Sequence, residues 1–205
     1  MSLRHEIRHD AHDAAEAFLE GIATSDTSLK HFPRPIEVIA GKCGLDVALI
    51  AKEVVDLQHG CSAFKTILLA SDRKPWQRRL TIGHEIAHHE LNLMVVGDAV
   101  VEQECTAFSA GLLMPMEDVV MSVAGLVGSG QRTAEEWAEE EFRSHVMTKL
   151  VRRYGVGYKA LLVAMADYGL VTGVASWHAV WQARQLMDAY YERWNRLKDL
   201  SSSAD

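Results

Sequence analysis

The sequence predicts an α+β fold: a small sheet packed on two central helices, with a mostly helical C-terminal extension. Three observations predict it. Leu45–Ile50 and Ala63–Ala70 are short and rich in β-branched and aliphatic residues, as strands are. Two longer stretches, Trp76 to about Leu93 and about Val101 to Leu113, change to helical periodicity. Beyond residue 133 every periodic stretch is helical.

The elements follow in order. In residues 11–22, Ala14, Ala15, Phe18, Leu19 and Ile22 form one helical stripe, which Gly21 and the polar run Ala23–Ser28 end. Pro33 and Pro35 mark a turn, and Ile36–Cys43 reads as a short helix stopped by Gly44. His59-Gly60 is read as a turn between the two strands, and Ser71–Pro75 closes the sheet region. The helix over Val101–Leu113 stops before Pro115, because the residue ahead of a proline is pushed out of the helical region. Residues 124–133, AGLVGSGQRT, are rich in Gly and Ser and read as a linker. An acidic helix over Ala134–Phe142 follows, then Val146–Tyr154, a Gly155-Val156-Gly157 turn and Tyr158–Tyr168. An aromatic helix over about Trp177–Leu197 and an SSSAD tail complete the chain. The expected divisions are an N-terminal helix (1–30), a core (31–123), the linker (124–133), a helix-turn-helix-like region (134–172) and the aromatic helix with its tail (173–205).

The chain has 205 residues, 48% of them hydrophobic, enough to bury a core without covalent staples. Its three cysteines, Cys43, Cys61 and Cys105, are too few and scattered for a disulfide framework, and there is no Cys-x-x-Cys pair for a thiolate zinc ribbon. Such usage suits a reducing cytosol, so a cytoplasmic protein is expected. The N-terminus MSLRHEIRHDAHD is too polar for a signal peptide, and no stretch approaches the roughly 18 apolar residues of a membrane span. A net charge of −7 argues against a nonspecific nucleic-acid surface.

The chemistry concentrates in His84-Glu85-Ile86-Ala87-His88. Residues four apart share a helix face, so the two imidazoles can bind one Zn²⁺ at about 2.0–2.1 Å each. Glu85, beside that face, is placed to take a proton from an attacking water. The flanking Leu80-Thr81-Ile82-Gly83 and the internal Ile86-Ala87 would bury this helix. Burying its polar side chains without a partner would be costly, and a metal resolves that cost. A catalytic zinc takes three protein ligands and leaves one position open. The third ligand should come from the next helix, VEQECTAFSAGLLMP, where Glu102 and Glu104 are the candidates. Glu102 continues into the face of Cys105, Ser109 and Leu112, whereas Glu104 shares its face with Phe108 and Gly111. Helical phase alone leaves both open.

The segment RRLTIGHEIAHHE, followed by ExExxxFxxxLLMP, resembles the ImmA/IrrE family of zinc metallopeptidases. The likeness spans about residues 33–171 and takes in Pro35-Ile36-Glu37, the small sheet and Arg78. The two motifs together are far more specific than the His-Glu-x-x-His spacing alone. The resemblance implies a zincin-like fold and one zinc per chain, held by His84, His88 and Glu102, with Glu85 as the catalytic base. In that family the third ligand stands four residues before an Asn or Asp, and this selects Glu102. Thr106 occupies the Asn/Asp position, so the hydrogen bond made there differs. Val156-Gly157 and Ala164 replace the Val-Ser turn and helix arginine common in the helix-turn-helix-like region, which weighs further against DNA binding. The implied partner is a protein substrate, a helix-turn-helix transcriptional repressor cut to derepress a mobile element or a stress response.

Other residues invite attention. His5, His9 and His12 have helical spacing but read as a solvated face. His89 is turned about 100° from His88 and is no expected ligand. His145 is a weak candidate for oxyanion stabilisation, and Cys105 reads as helix packing. Glu90 and the run Glu135–Glu141 read as solvated carboxylates. Trp177, Trp181, Tyr190, Tyr191 and Trp194 suit core packing, partner docking or a homodimer seam better than base stacking. The rival reading is a noncatalytic regulatory module that binds a repressor or DNA and uses zinc structurally. Glu85 counts against it, since a structural site has no use for a base.

Overall fold

A computed structural model describes residues 3–24, 26–51, 61–63, 65–93, 98–133, 136–137, 139–140 and 144–172. The aromatic segment from Trp177 onward and the His59-Gly60 turn lie outside the described residues, as does most of the acidic helix.

Helix α1 (Leu3–Ala23) is followed by a 3-10 turn at Thr27–Lys30, α2 (Ile36–Lys42) and strands β1 (Asp46–Ile50), β2 (Cys61–Ala63) and β3 (Thr66–Ala70). Then come α3 (Pro75–Glu90), α4 (Ala99–Leu113), α5 (Met116–Val127) and β4 (Arg132–Thr133). Helices α6 (Val146–Tyr154) and α7 (Tyr158–Asp167) and strand β5 (Val171–Thr172) complete the described elements. The architecture is α+β, as the sequence predicts.

The sheet order is β1-β3-β2, with β1 parallel and β2 antiparallel to β3. Of the segment read as one strand, Ala63–Ala70, the part Thr66–Ala70 forms β3, while Ala63 ends the antiparallel strand β2. Lys65 turns the chain at φ 66° between β2 and β3. Ile67 and Leu69 of β3 alternate into the core, as a half-buried strand requires.

Helix α4 is the axis of the molecule. Asp98 caps its N-terminus by accepting from the Val100 and Val101 N–H groups at 2.8 and 3.3 Å. Its residues from Ala107 to Leu113 are all buried, because α1 packs on one side and α3 on another. Small residues allow both approaches. A Cβ on Gly111 would lie 2.9 Å from the His12 Nδ1 atom of α1. A Cβ on Gly83 of α3 would lie 2.5 Å from the Ser109 hydroxyl oxygen. Ser109 donates to the Leu80 carbonyl at 2.9 Å, fixing the α3–α4 crossing.

Three findings depart from the sequence reading. In helix α1, His12 is buried rather than solvated. The His12 ring packs edge-on against Tyr168, and its Nδ1 lies 3.3 Å from the Tyr168 hydroxyl. The side chains of His5 and His9 lie outside the described residues. The second departure is α5, which begins directly after Pro115, carries Glu117 and Asp118 in its first turn, and stops at Gly128, φ 82°. It occupies residues 124–127 of the expected linker. The third is that Arg132–Thr133, in the same stretch, pairs in parallel with Val171–Thr172, tying the two ends of the helix-turn-helix-like region together.

Among the described residues no single helix is long and apolar enough to cross a membrane. Helices α4 and α5 reach that length only as a pair bent by 53°, and α4 is covered by α1 and α3.

Candidate metal centre

Helix α3 starts cleanly because Pro75 takes its first position and the Lys74 N–H donates to the Gln77 side chain at 3.0 Å. Thr81, Ile82, Gly83, Glu85, Ile86 and Ala87 are buried along it. One turn apart, His84 and His88 leave this apolar surface toward α4 with half-buried rings. Glu102, in the first turn of α4, meets them. The His84 Nε2 atom is 3.0 Å from Glu102 Oε2, and the His88 Nε2 atom is 3.7 Å from Glu102 Oε1. The two Nε2 atoms are 3.2 Å apart.

These distances test whether a metal fits. Two ligand atoms about 2.1 Å from a tetrahedral ion stand roughly 3.4 Å apart, which matches the three separations. The His88 Nδ1 atom is 2.7 Å from the Leu93 carbonyl oxygen, which can only accept. His88 therefore carries its proton on Nδ1 when neutral and turns a bare Nε2 lone pair toward His84. A cation between these atoms resolves the crowding of the donors. Among the described residues, His84, His88 and Glu102 are the one group of three His, Cys, Asp or Glu side chains that converges in this way. Glu104 does not join it.

Electrostatics favour the ligand form of His84. Burial, and then the neighbouring His88, lower its pKa below the ordinary imidazole value, partly countered by Glu102 and Glu85. A neutral imidazole keeps the lone pair a metal needs. Glu85 is 6% exposed and near enough for its charge to be felt at His84. The Cys105 thiol is buried and pushed up to about 12, first by burial and then by Glu102 and Glu104. It is a packing group outside the cluster of three.

Other candidates are placed elsewhere. His89 is exposed and sits 3.0 Å from Glu90. His145 is exposed at the start of α6 in the left-handed region, φ 54°. The sequence reading missed the Leu93 carbonyl behind His88 and the Gly83–Ser109 contact that brings α3 close to α4. A glycine just ahead of the histidine pair is the one sequence signal for that contact. Thr106, noted only as a departure, lies 3.3 Å through its hydroxyl from His84 Nδ1 and 2.7 Å from the Glu102 carbonyl.

The IrrE N-terminal-like domain of the M78 peptidases matches residues 42–165, more than half of the chain. The chain belongs to this family. It is a family of metallopeptidases, which implies a metal ion, and His84, His88 and Glu102 form a group that could hold one. The matched region takes in the sheet, α3, α4, α5, α6 and most of α7. No curated protein matches the chain. Among solved structures, a Mycobacterium tuberculosis transcriptional regulator is similar in fold, with a TM-score of 0.52 and 16% identity. The similarity covers 78% of this chain and 51% of that one, so the chain spans about half that regulator's length.

Proposed function

We propose that this family member is an active zinc peptidase with His84, His88 and Glu102 as ligands and Glu85 as general base. The observation that carries the reading is the convergence of three donor side chains from two helices, beside a buried glutamate. The His84 and Glu102 side chains keep 21% and 38% of their surface exposed, so the cluster opens to solvent on one side. A structural zinc site is closed by four protein ligands, whereas a catalytic one keeps a position free. This openness, together with Glu85, favours the enzyme over the noncatalytic module.

A bound zinc ion would lower the pKa of water toward about 7 and polarise a peptide carbonyl. The protein's own groups supply the rest. The Glu85 carboxylate takes the proton of the attacking water and delivers it to the leaving amine. Glu85 is 6% exposed, which limits the access of bulk water to its carboxylate.

The proposed substrate is a helix-turn-helix transcriptional repressor, cleaved to derepress a mobile element or a stress response. Its support is the family, together with a solved regulator of similar fold. Co-expression with a repressor encoded beside the gene, read by mass spectrometry, tests it. One new pair of fragments is expected with the unaltered chain and none with Glu85→Gln. An intact repressor in both would refute the substrate assignment.

A further inference from the structure

We propose that Thr106 is a positioning residue which fixes the tautomer of His84 and so makes its Nε2 atom a metal donor; the metal role rests on the function proposed above. The argument follows the hydroxyl proton. Thr106 Oγ1 lies 2.7 Å from the backbone carbonyl oxygen of Glu102, one turn earlier in α4. A carbonyl oxygen has no hydrogen to give, so the single hydroxyl proton is directed to it. The same Oγ1 lies 3.3 Å from His84 Nδ1, and with its proton committed it can only accept there. His84 thus has an acceptor at each ring nitrogen, the Thr106 hydroxyl at Nδ1 and the Glu102 carboxylate at Nε2; the hydroxyl draws the ring proton to Nδ1, and a cation between Nε2 and Glu102 would leave Nδ1 as its one place, with the lone pair of the neutral ring on Nε2. That is the atom 3.0 Å from Glu102 and 3.2 Å from its counterpart in His88.

A relay results, from the His84 Nδ1–H to the Thr106 hydroxyl to the Glu102 carbonyl. Two of the three ligand residues are joined through one uncharged side chain. The other histidine is fixed independently, by the Leu93 carbonyl. The two tautomers are thus set by different elements, His88 from the loop after its own helix and His84 from α4. Without the hydroxyl, His84 can place its proton on Nε2, where it would donate to Glu102 and block the site. Partners of this kind typically change metal affinity about 10–100-fold.

The test uses the full chain with zinc alone. Ring-nitrogen NMR shifts report the His84 tautomer in metal-free protein, and competition with a chromogenic chelator reports zinc affinity. Thr106→Val keeps the shape and removes the hydroxyl. It is expected to move His84 toward the Nε2–H form and weaken zinc binding about 10–100-fold, with the circular dichroism spectrum unchanged. Thr106→Ser should restore both. An unaltered tautomer in Thr106→Val overturns the proposal, whatever happens to zinc. So does lost affinity that Thr106→Ser fails to recover, since the methyl group would then be the part that matters. If the unaltered protein binds no zinc while its tautomer follows the hydroxyl, the positioning role stands and the peptidase reading fails.

Discussion

Gly83 faces Ser109 so closely that a Cβ on the glycine would lie 2.5 Å from the serine hydroxyl oxygen. The contact sits one residue before His84, and two helical turns along α4 from Glu102. It sets how near the histidine face of α3 comes to the glutamate of α4. Gly83→Ala should push the helices apart, destabilising the fold by about 1–3 kcal/mol, as overpacking does. It should also weaken zinc binding although no ligand is changed. Urea unfolding and chelator competition on the same preparation check both effects.

The ligand set predicts a pattern of substitutions. His84→Ala, His88→Ala and Glu102→Ala should each empty the site, whereas Glu104→Ala should leave about one zinc per chain. A ligand that binds the folded state alone, at 100 times its dissociation constant, stabilises by about 2.7 kcal/mol. Chelation should therefore lower the melting temperature of the unaltered protein and leave that of Glu102→Ala unchanged. Zinc retained by Glu102→Ala and lost by Glu104→Ala would reverse the assignment.

Glu85→Gln separates binding from catalysis. The amide cannot accept the water's proton, and loss of a general base typically costs 10²–10⁴-fold in rate, so cleavage should fall by about that factor. Zinc content and melting temperature should match the unaltered chain. Cleavage at the original rate would refute the assigned role of Glu85.

Acid should reveal the clamp between α5 and α6. Burial would raise the Asp118 carboxyl, but hydrogen bonds from Arg153 and Tyr154 outweigh it and hold the group below its ordinary value of 3.8. A carboxyl lowered in the folded state contributes stability above its unfolded pKa. That contribution is lost as pH falls through the folded value. Stability of the unaltered protein should therefore drop more steeply below about pH 4 than that of Asp118→Asn, which lacks the titrating group. Parallel curves from urea midpoints across this range would contradict the clamp.

The described core should survive without the aromatic segment. Val171 and Thr172 pair with β4, and the Trp137 indole N–H donates to the Leu170 carbonyl at 3.0 Å. A chain ending after Thr172 keeps these bonds and should remain folded with its zinc. If the aromatic segment docks substrate, this shortened protein should fail to cleave the repressor. Aggregation or zinc loss would make the segment structural.

How much of this was legible follows the range of the interactions. The α3 helix and its histidine pair could be read because four-residue spacing is a local property. The α6–turn–α7 unit could be read because Gly155, at φ 64°, is a local stop. Helix α5 was missed because its last turn, with Gly125, runs straight into the Gly- and Ser-rich stretch that reads as a linker. The burial of His12 was illegible because its partner, Tyr168, is 156 residues away. The convergence of Glu102 on the two histidines was beyond helical phase for a related reason: it depends on how α4 crosses α3, and the Gly83–Ser109 contact lies at that crossing.

The Arg8–Asp167 ion pair joins residues 159 positions apart. During synthesis α1 emerges long before α7, so its buried stripe has to wait for α4 and then for the segment around Tyr168. Contacts of such sequence separation form late and slow folding. The back of α4, whose front carries Glu102, is secured only after nearly the whole described chain has left the ribosome. The cluster of His84, His88 and Glu102 is therefore complete in sequence long before the last support of the helix that carries Glu102.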